Sequence, residues 1–65
     1  MKFEEYQVVK TLIDFPHEGI FADEIGTIVI CFTAPHEAYE VEFTDSDGRT
    51  RAMFPILPEH LKLVE

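Results

Sequence analysis

The sequence predicts a single all-β domain of five short strands, and three observations lead to that class. Residues 25–32 carry no charge and are rich in β-branched side chains, which favours a strand over a helix. Residues 38–43 alternate between apolar and acidic side chains, which is typical of a half-buried strand. An Asp-Ser-Asp-Gly turn then leads into a further β-rich run, which indicates a hairpin.

The first half of the chain supplies two strands separated by a long loop. Residues 6–12 are predicted as the first strand, and residues 13–24, interrupted by Pro16 and Gly19, as the loop. Residues 25–32 follow as the central strand, which Gly26 bends near its start and Pro35 terminates. Because its two faces are both apolar, we expect this strand to be covered on both sides.

The second half begins with a hairpin whose register can be predicted. A four-residue loop at 45–48, with Gly48 at positive φ, joins strands at residues 38–43 and 49–54. This loop places Phe43 opposite Thr50 and Glu42 opposite Arg51, because a shift by one residue would mix core and solvent side chains on one face. The side chains predicted to point inward are Tyr39, Val41 and Phe43.

Two prolines, Pro55 and Pro58, are expected to end the fourth strand at residue 54. Residues 58–61 suit one 3₁₀ turn with Pro58 at its first position, and residues 61–64 form a short closing strand. Five strands, a long first loop, a tight third turn and one 3₁₀ turn before the last strand indicate a small SH3-like barrel. It occupies residues 1–65 as one domain.

Charge and composition narrow the classes of partner. Thirteen acidic residues against five basic ones give a formal net charge of −8, which disfavours nucleic acid and anionic membranes and favours a basic protein or a cation. Cys31 is the only cysteine, so no internal disulfide can form. The acidic start resembles no signal peptide, and no apolar stretch reaches the roughly 20 residues that cross a bilayer. We expect a cytoplasmic protein without membrane association.

Several segments together resemble a family of short bacterial proteins known as DUF4926. The most specific is Ile-Gly-Thr-Ile-Val at residues 25–29, followed at the family's spacing by Tyr-Glu-Val-Glu-Phe at residues 39–43. The resemblance also covers residues 15–20, 22–24 and 47–50. It implies a stand-alone SH3-like barrel of unknown function, with no catalytic residues to carry over. Ile30 departs from the family's pattern, which often has Glu at this position. An apolar residue there suggests that this face of the strand is covered by another molecule in the functional state.

A small Pro-His-Glu pattern occurs at residues 16–18 and 35–37 and, reordered, at residues 58–60. In an SH3-like barrel these loops surround one groove, so His17, His36 and His60 could converge on a metal such as Zn²⁺. No two of them have a spacing that fixes ligands together on one strand or helix. We therefore favour an acidic, protonation-sensitive rim of a partner site, with metal binding as the alternative.

No catalytic or cofactor signature is present. The 45–48 turn lacks the later Glu of a calcium loop, Ser46 has no partner histidine, and Cys31 lies in a strand without a neighbouring base. The sequence therefore predicts a protein that is not an enzyme and binds no cofactor.

The preferred interpretation is a non-catalytic, acidic protein-binding module that associates with itself, as a homo-oligomer, or with a cognate basic protein, as antitoxins and immunity proteins do. One alternative is a metal-binding or enzyme-accessory domain using the three histidines. A weaker alternative is a ribosome- or nucleic-acid-associated barrel of the KOW kind, against which the net charge argues. The predicted partner-binding residues are Phe15, His17, Glu18, Phe21, Ile30, His36, Glu37, Glu59 and His60.

Overall fold

The computed structural model describes residues 1–65 and contains one antiparallel sheet of five strands. The strands are β1 (Val8–Thr11), β2 (Ile25–Phe32), β3 (Ala38–Thr44), β4 (Thr50–Ile56) and β5 (Leu61–Leu63), in the spatial order β4-β3-β2-β1-β5. Two 3₁₀ turns accompany them, η1 (Pro16–Glu18) and η2 (Pro58–His60). The predicted all-β class, the five strands and the 3₁₀ turn before the last strand are confirmed.

Strand β2 lies at the centre of the sheet, with the bounds that the sequence predicted. It pairs with β1, where Val9 is opposite Gly26, and with β3, where Ile28 is opposite Val41. A β-bulge between Ile28 and Ile30 then shifts the register by one residue. The prediction that both faces of β2 are covered is wrong, because one face carries the exposed side chains of Ile25 and Ile30.

The opposite face of the sheet packs into a single core. Tyr39, Val41 and Phe43 of β3 are fully buried, which confirms their inward assignment. Side chains from β1, β2, β4 and β5 join the same cluster, so the sheet must curve around it. The buried apolar residues are Phe3, Val9, Ile20, Ile28, Tyr39, Val41, Phe43, Phe54, Ile56 and Leu61.

The strands do not form a closed ring of hydrogen bonds, because β4 and β5 are the two edges of the sheet. The loop between β1 and β2 packs against β4. Phe15 meets Phe54 edge to face with ring centroids 5.2 Å apart, and Arg51 donates to the carbonyl of Gly19 at 3.3 Å. This loop contains η1, which the sequence analysis did not predict.

Thr11 fixes the end of the same loop from inside the core. Its side chain is fully buried, and its Oγ1 donates to the Phe21 carbonyl at 2.9 Å and accepts from the Glu24 N–H at 3.2 Å. No buried side-chain nitrogen or oxygen in the protein lacks a hydrogen-bond partner. The polar groups inside the fold are therefore satisfied by the fold itself.

The predicted register of the β3–β4 hairpin is wrong by two residues. Phe43 is opposite Ala52 and Glu42 is opposite Met53, with a bulge where Thr44 meets Thr50. Gly48 has the predicted positive φ, 86°, and its N–H donates to the Asp45 carbonyl. The predicted four-residue loop is wrong, because Thr44 is opposite Thr50 and not Arg49. The loop accounts for one residue of this shift and the bulge between Phe43 and Thr44 for the other, and a total shift of two residues leaves the inward parity intact.

Because of this register, the predicted Glu42–Arg51 pair does not form. Arg51 instead donates to the carboxylate of Glu24 in the β1–β2 loop, and Glu42 accepts from the Thr50 hydroxyl. The hydrogen bond from Arg51 is the largest cause that lowers the pKa of Glu24. The pair therefore ties the loop to β4 and does not set the hairpin.

Other strand ends also differ from the prediction. β4 continues through Pro55 to Ile56, because an edge strand tolerates a residue that lacks an N–H donor on its open side. β1 begins at Val8, since Tyr6 has φ 69° and leaves the extended conformation. The only helical segments are the two three-residue 3₁₀ turns, and no helix has the length and apolarity needed to cross a membrane.

Candidate interaction surface

The face of the sheet turned away from the core, which we term the outer face, combines exposed apolar side chains with charges. The apolar residues that are exposed by 40% or more include Val8, Ile25, Ile30, Met53 and Val64. An antiparallel sheet with one solvated face normally carries polar residues there. The outer face as a whole consists of Val8, Lys10, Ile25, Thr27, Ile30, Glu40, Glu42, Met53, Pro55, Lys62 and Val64.

Strand pairing makes the apolar part continuous. Val8 is opposite Thr27 in β2 and accepts, through its carbonyl, a hydrogen bond from the N–H of Val64. Ile25 lies on the same face two residues before Thr27, at the diagonal distance from Val8 at which side chains still touch. Isolated surface apolar residues need no explanation, but neighbours on one sheet face form a patch.

Two lysines lie at one end of this patch. Lys10 is paired with Lys62 across β1 and β5 and with Ile25 across β1 and β2. Like charges placed directly opposite on a sheet destabilise the pair. Lys10 has a distant salt bridge to Asp23, at 3.8 Å, and Lys62 has none. These side chains line an open depression of about 390 Å³ together with Leu63, Val64 and Glu65.

Two glutamates occupy the other side of the outer face. Glu40 and Glu42 project from β3, which lies on the side of β2 opposite to β1. Neither forms a salt bridge. The outer face is therefore divided into a cationic part on β1 and β5 and an anionic part on β3, with apolar side chains between them.

A second cluster, at the β2–β3 loop, fixes the N-terminal segment. The Phe3 N–H donates to the Tyr39 hydroxyl at 3.0 Å, the Lys2 N–H donates to the Glu37 carboxylate at 2.9 Å, and Tyr39 also donates to Glu37. The rings of Phe3 and Tyr39 meet edge to face with centroids 5.3 Å apart. These contacts hold Phe3 in the core, so Glu37 and Tyr39 have structural roles.

The electrostatics of this cluster disfavour nucleophilic chemistry. Hydrogen bonds from Lys2 and then Tyr39 lower the pKa of Glu37, while burial and then Glu37 raise the pKa of Tyr39. Burial, followed by the nearby acidic charges, raises the pKa of the Cys31 thiol, whose Sγ lies 3.9 Å from the Phe3 carbonyl oxygen. A raised pKa keeps the thiol protonated and unreactive at neutral pH.

Comparison with known proteins identifies the family. A family model described as a domain of unknown function, DUF4926, matches residues 5–63 of the 65-residue chain. The chain belongs to this family. Searches of curated proteins and of solved structures gave no significant match. Membership in DUF4926 confirms the resemblance noted in the sequence, and it assigns no activity, so a function has to be argued from the surface of the molecule.

The DUF4926 chain brings together only part of the predicted partner site. His17 and Glu18 lie in η1, and Glu59 and His60 lie in η2. Phe15 connects the two turns, because it immediately precedes η1 and its ring lies 6.2 Å from the His60 ring, centroid to centroid.

The remaining predicted site residues lie elsewhere. His36 and Glu37 belong to the β2–β3 loop beside the N-terminal segment, and Ile30 belongs to the outer face. Phe21 is 51% exposed in the β1–β2 loop, where its N–H donates to Glu24. No group of three or more His, Cys, Asp or Glu side chains is arranged to hold a metal, so the convergence of His17, His36 and His60 that the metal-binding alternative requires is not observed.

Most residues of the outer face were not among the predicted site residues, although the length of the chain indicates that such an exposed face must exist. Both parities of residues 25–32 are apolar, and this pattern predicts a strand that is covered on both sides. A 65-residue domain has too little chain for a layer on each side of its sheet. An apolar residue on the second parity, such as Ile25, therefore had to remain exposed. Ile30 is the one predicted site residue that belongs to this surface.

Proposed function

We propose that this DUF4926 protein is a non-catalytic protein-binding module whose binding site is the outer face. The observation that carries the proposal is the patch of Val8, Ile25 and Val64, bordered by lysines that have few ionic partners. Protein interfaces combine an apolar centre with a polar or charged rim, which is the composition found here.

A basic partner, of the kind that antitoxin-like or immunity-like proteins bind, would meet a different part of this molecule. The net charge of −8 would steer such a partner toward the chain. Lys10 and Lys62 make the outer face the less suitable side for a basic surface, and the acidic loops more suitable. A basic partner would therefore bind the acidic loops, whereas the partner proposed here binds the outer face.

A cytoplasmic setting also belongs to the proposal. Cys31 is half-buried, has no cysteine partner and packs against the core, which suits a reducing compartment.

Site-specific photo-crosslinking in cells of the source organism tests the proposed surface. A benzophenone amino acid is placed at Ile25 or Met53 on the outer face, and at Asp45 or Glu59 as exposed controls away from it. We expect the two outer-face positions to give a protein adduct of defined mass that the controls do not give, and mass spectrometry then identifies its protein. Adducts from the controls alone, or from no position, would overturn the proposal.

A further inference from the structure

We propose that the partner of the outer face is a second copy of this chain, which binds as a weak twofold-symmetric dimer with the lysines of each copy against the glutamates of the other. This inference rests on the proposed function, since it names the occupant of the same surface. It is carried by the arrangement of charge on the sheet, which is a separate observation from the presence of the apolar patch.

The two pairs of charges lie on opposite sides of the central strand. Lys10 and Lys62 belong to β1 and β5, and Glu40 and Glu42 belong to β3, with β2 between the two groups. Each group contains one sign of charge only. A surface that carries separated patches of opposite sign is complementary to itself when a twofold axis exchanges the patches.

Such an axis exists for this face. Lys10 is level with Ile25 of β2, whereas Glu42 and Glu40 are level with Thr27 and Ile30. When two copies meet outer face to outer face, an axis that lies in the plane of the interface, passes near Thr27 and runs obliquely to β2 therefore exchanges the two sides of β2. It places the lysine pair of one copy over the glutamate pair of the other, and it does so twice because the interface is isologous. The apolar residues between the pairs, Val8 and Ile25 among them, then meet near the axis and become the centre of the contact.

The same geometry relieves two unfavourable features of the single chain. Lys10 and Lys62 are like charges in direct register, and together they have one distant acidic partner. Exposed apolar side chains on a solvated sheet face lose contact with water when a second copy covers them. A basic partner would leave the lysines without complementary charge, and an acidic partner would repel Glu40 and Glu42. The second copy satisfies both groups.

The association is expected to be weak. The sheet curves toward its core, so the outer face is convex and the contact is limited in area. A standard interface buries about 800 Å² per partner, which is close to a fifth of the 4272 Å² that this chain exposes. The net charge of −8 on each copy adds repulsion that salt screens. We expect a dissociation constant of roughly 10–1000 µM at about 0.15 M salt.

Sedimentation equilibrium on the complete chain and on two charge-reversal variants tests the dimer. One variant carries Lys10→Glu and Lys62→Glu, and the other carries Glu40→Lys and Glu42→Lys. Each variant alone opposes like charges across the axis, so we expect its association constant to fall at least about tenfold below the parent value. An equimolar mixture restores opposite charges on both sides and carries the same total charge as two parent chains. We expect the association constant of the mixture to lie within about threefold of the parent value.

Thermal unfolding of each variant controls for folding. Glu42 accepts a hydrogen bond from Thr50, so if the double variants fold poorly, the single changes Lys62→Glu and Glu40→Lys are used in the same mixing design. A parent chain that stays monomeric up to about 1 mM would overturn the inference. A parent dimer that the reversals leave unchanged, or that mixing does not restore, would overturn it as well.

The two proposals can fail separately. Crosslinks from Ile25 to a different protein, together with a monomeric parent chain, would retain the outer face as the binding site and exclude self-association. A parent dimer whose crosslinks come only from the control positions would retain self-association and exclude the outer face.

Discussion

Replacing Gly26 with alanine is expected to destabilise the protein by crowding the core from the central strand. A Cβ atom built on Gly26 would lie 2.6 Å from Val41 Cγ1, 2.9 Å from Phe43 Cε1 and 3.0 Å from the Glu42 carbonyl oxygen. Val41 and Phe43 are fully buried, and the carbonyl belongs to the backbone of β3. None of the three atoms can move away without disturbing the packing of neighbouring residues.

The size of the effect follows from two opposing terms. Overpacking a dense core by one methyl group costs about 1–3 kcal/mol. Replacing glycine with alanine returns about 0.4–1 kcal/mol, because the unfolded chain loses conformational freedom. The free energy of unfolding should therefore fall by about 1–2 kcal/mol, which lowers the melting temperature of a domain this small by roughly 5–15 °C. Thermal unfolding followed by circular dichroism measures this change.

Two further variants identify the cause. Gly48→Ala is the control, because Gly48 has φ 86° and open space around it, so its cost of about 1–2 kcal/mol comes from the backbone alone. Combining Gly26→Ala with Val41→Ala removes the closest contact. The loss in the double variant should then be smaller than the sum of the two single losses by at least about 0.5 kcal/mol. Additive losses would show that the proposed contact is absent, and an unchanged melting temperature for Gly26→Ala would refute the packing of β2 on β3.

Three other perturbations test separate parts of the structure. Thr11→Val removes the hydroxyl that binds Phe21 and Glu24, so the free energy of unfolding should fall by about 1 kcal/mol. Thr11→Ser keeps the hydroxyl and should keep most of that stability. Equal losses from both variants in urea unfolding would contradict this role of the hydroxyl. The pKa of Glu37 is lowered in the fold by Lys2 and then Tyr39, so its contribution to stability is present above its ordinary value of 4.5 and is lost as pH falls through the lowered pKa. Melting temperature measured across that acidic range should fall less steeply for Glu37→Gln than for the parent, and parallel curves would argue against the role of Glu37. Because the three histidines do not converge, neither Zn²⁺ nor a chelator should shift the melting temperature, and a clear rise with Zn²⁺ would favour the metal-binding alternative.

The parts of the fold that follow from local side-chain patterns could be predicted from the sequence. Alternation identified β3 and its inward residues, and Pro58 marked η2. Such signals need only the chain near them, since a strand has a period of two and a proline at the first position suits a helical turn. The end of β4 could not be read this way, because Pro55 is tolerated only on account of the position of β4 at the edge of the sheet.

Features that depend on contacts between distant parts of the chain could not be predicted from the sequence. The loop and the bulge beside Thr44 each shift the hairpin register by one residue, and together they keep the same side chains inward, so no pattern within the strands could reveal the change. Arg51 pairs with Glu24, which is 27 residues away in the chain and which only the folded loop brings near. The predicted site had the same weakness, because Pro-His-Glu segments that look alike in sequence lie in different loops whose separation is set by the whole fold.

Backbone amide chemical shifts, recorded by NMR from about 20 µM to 1 mM protein, test most directly the claim that the outer face binds a second copy. We expect concentration-dependent shifts at Val8, Ile25 and Met53, while the amides of His17 and His60 stay constant. Shifts confined to η1 and η2, or a spectrum that does not change with concentration, would contradict the claim.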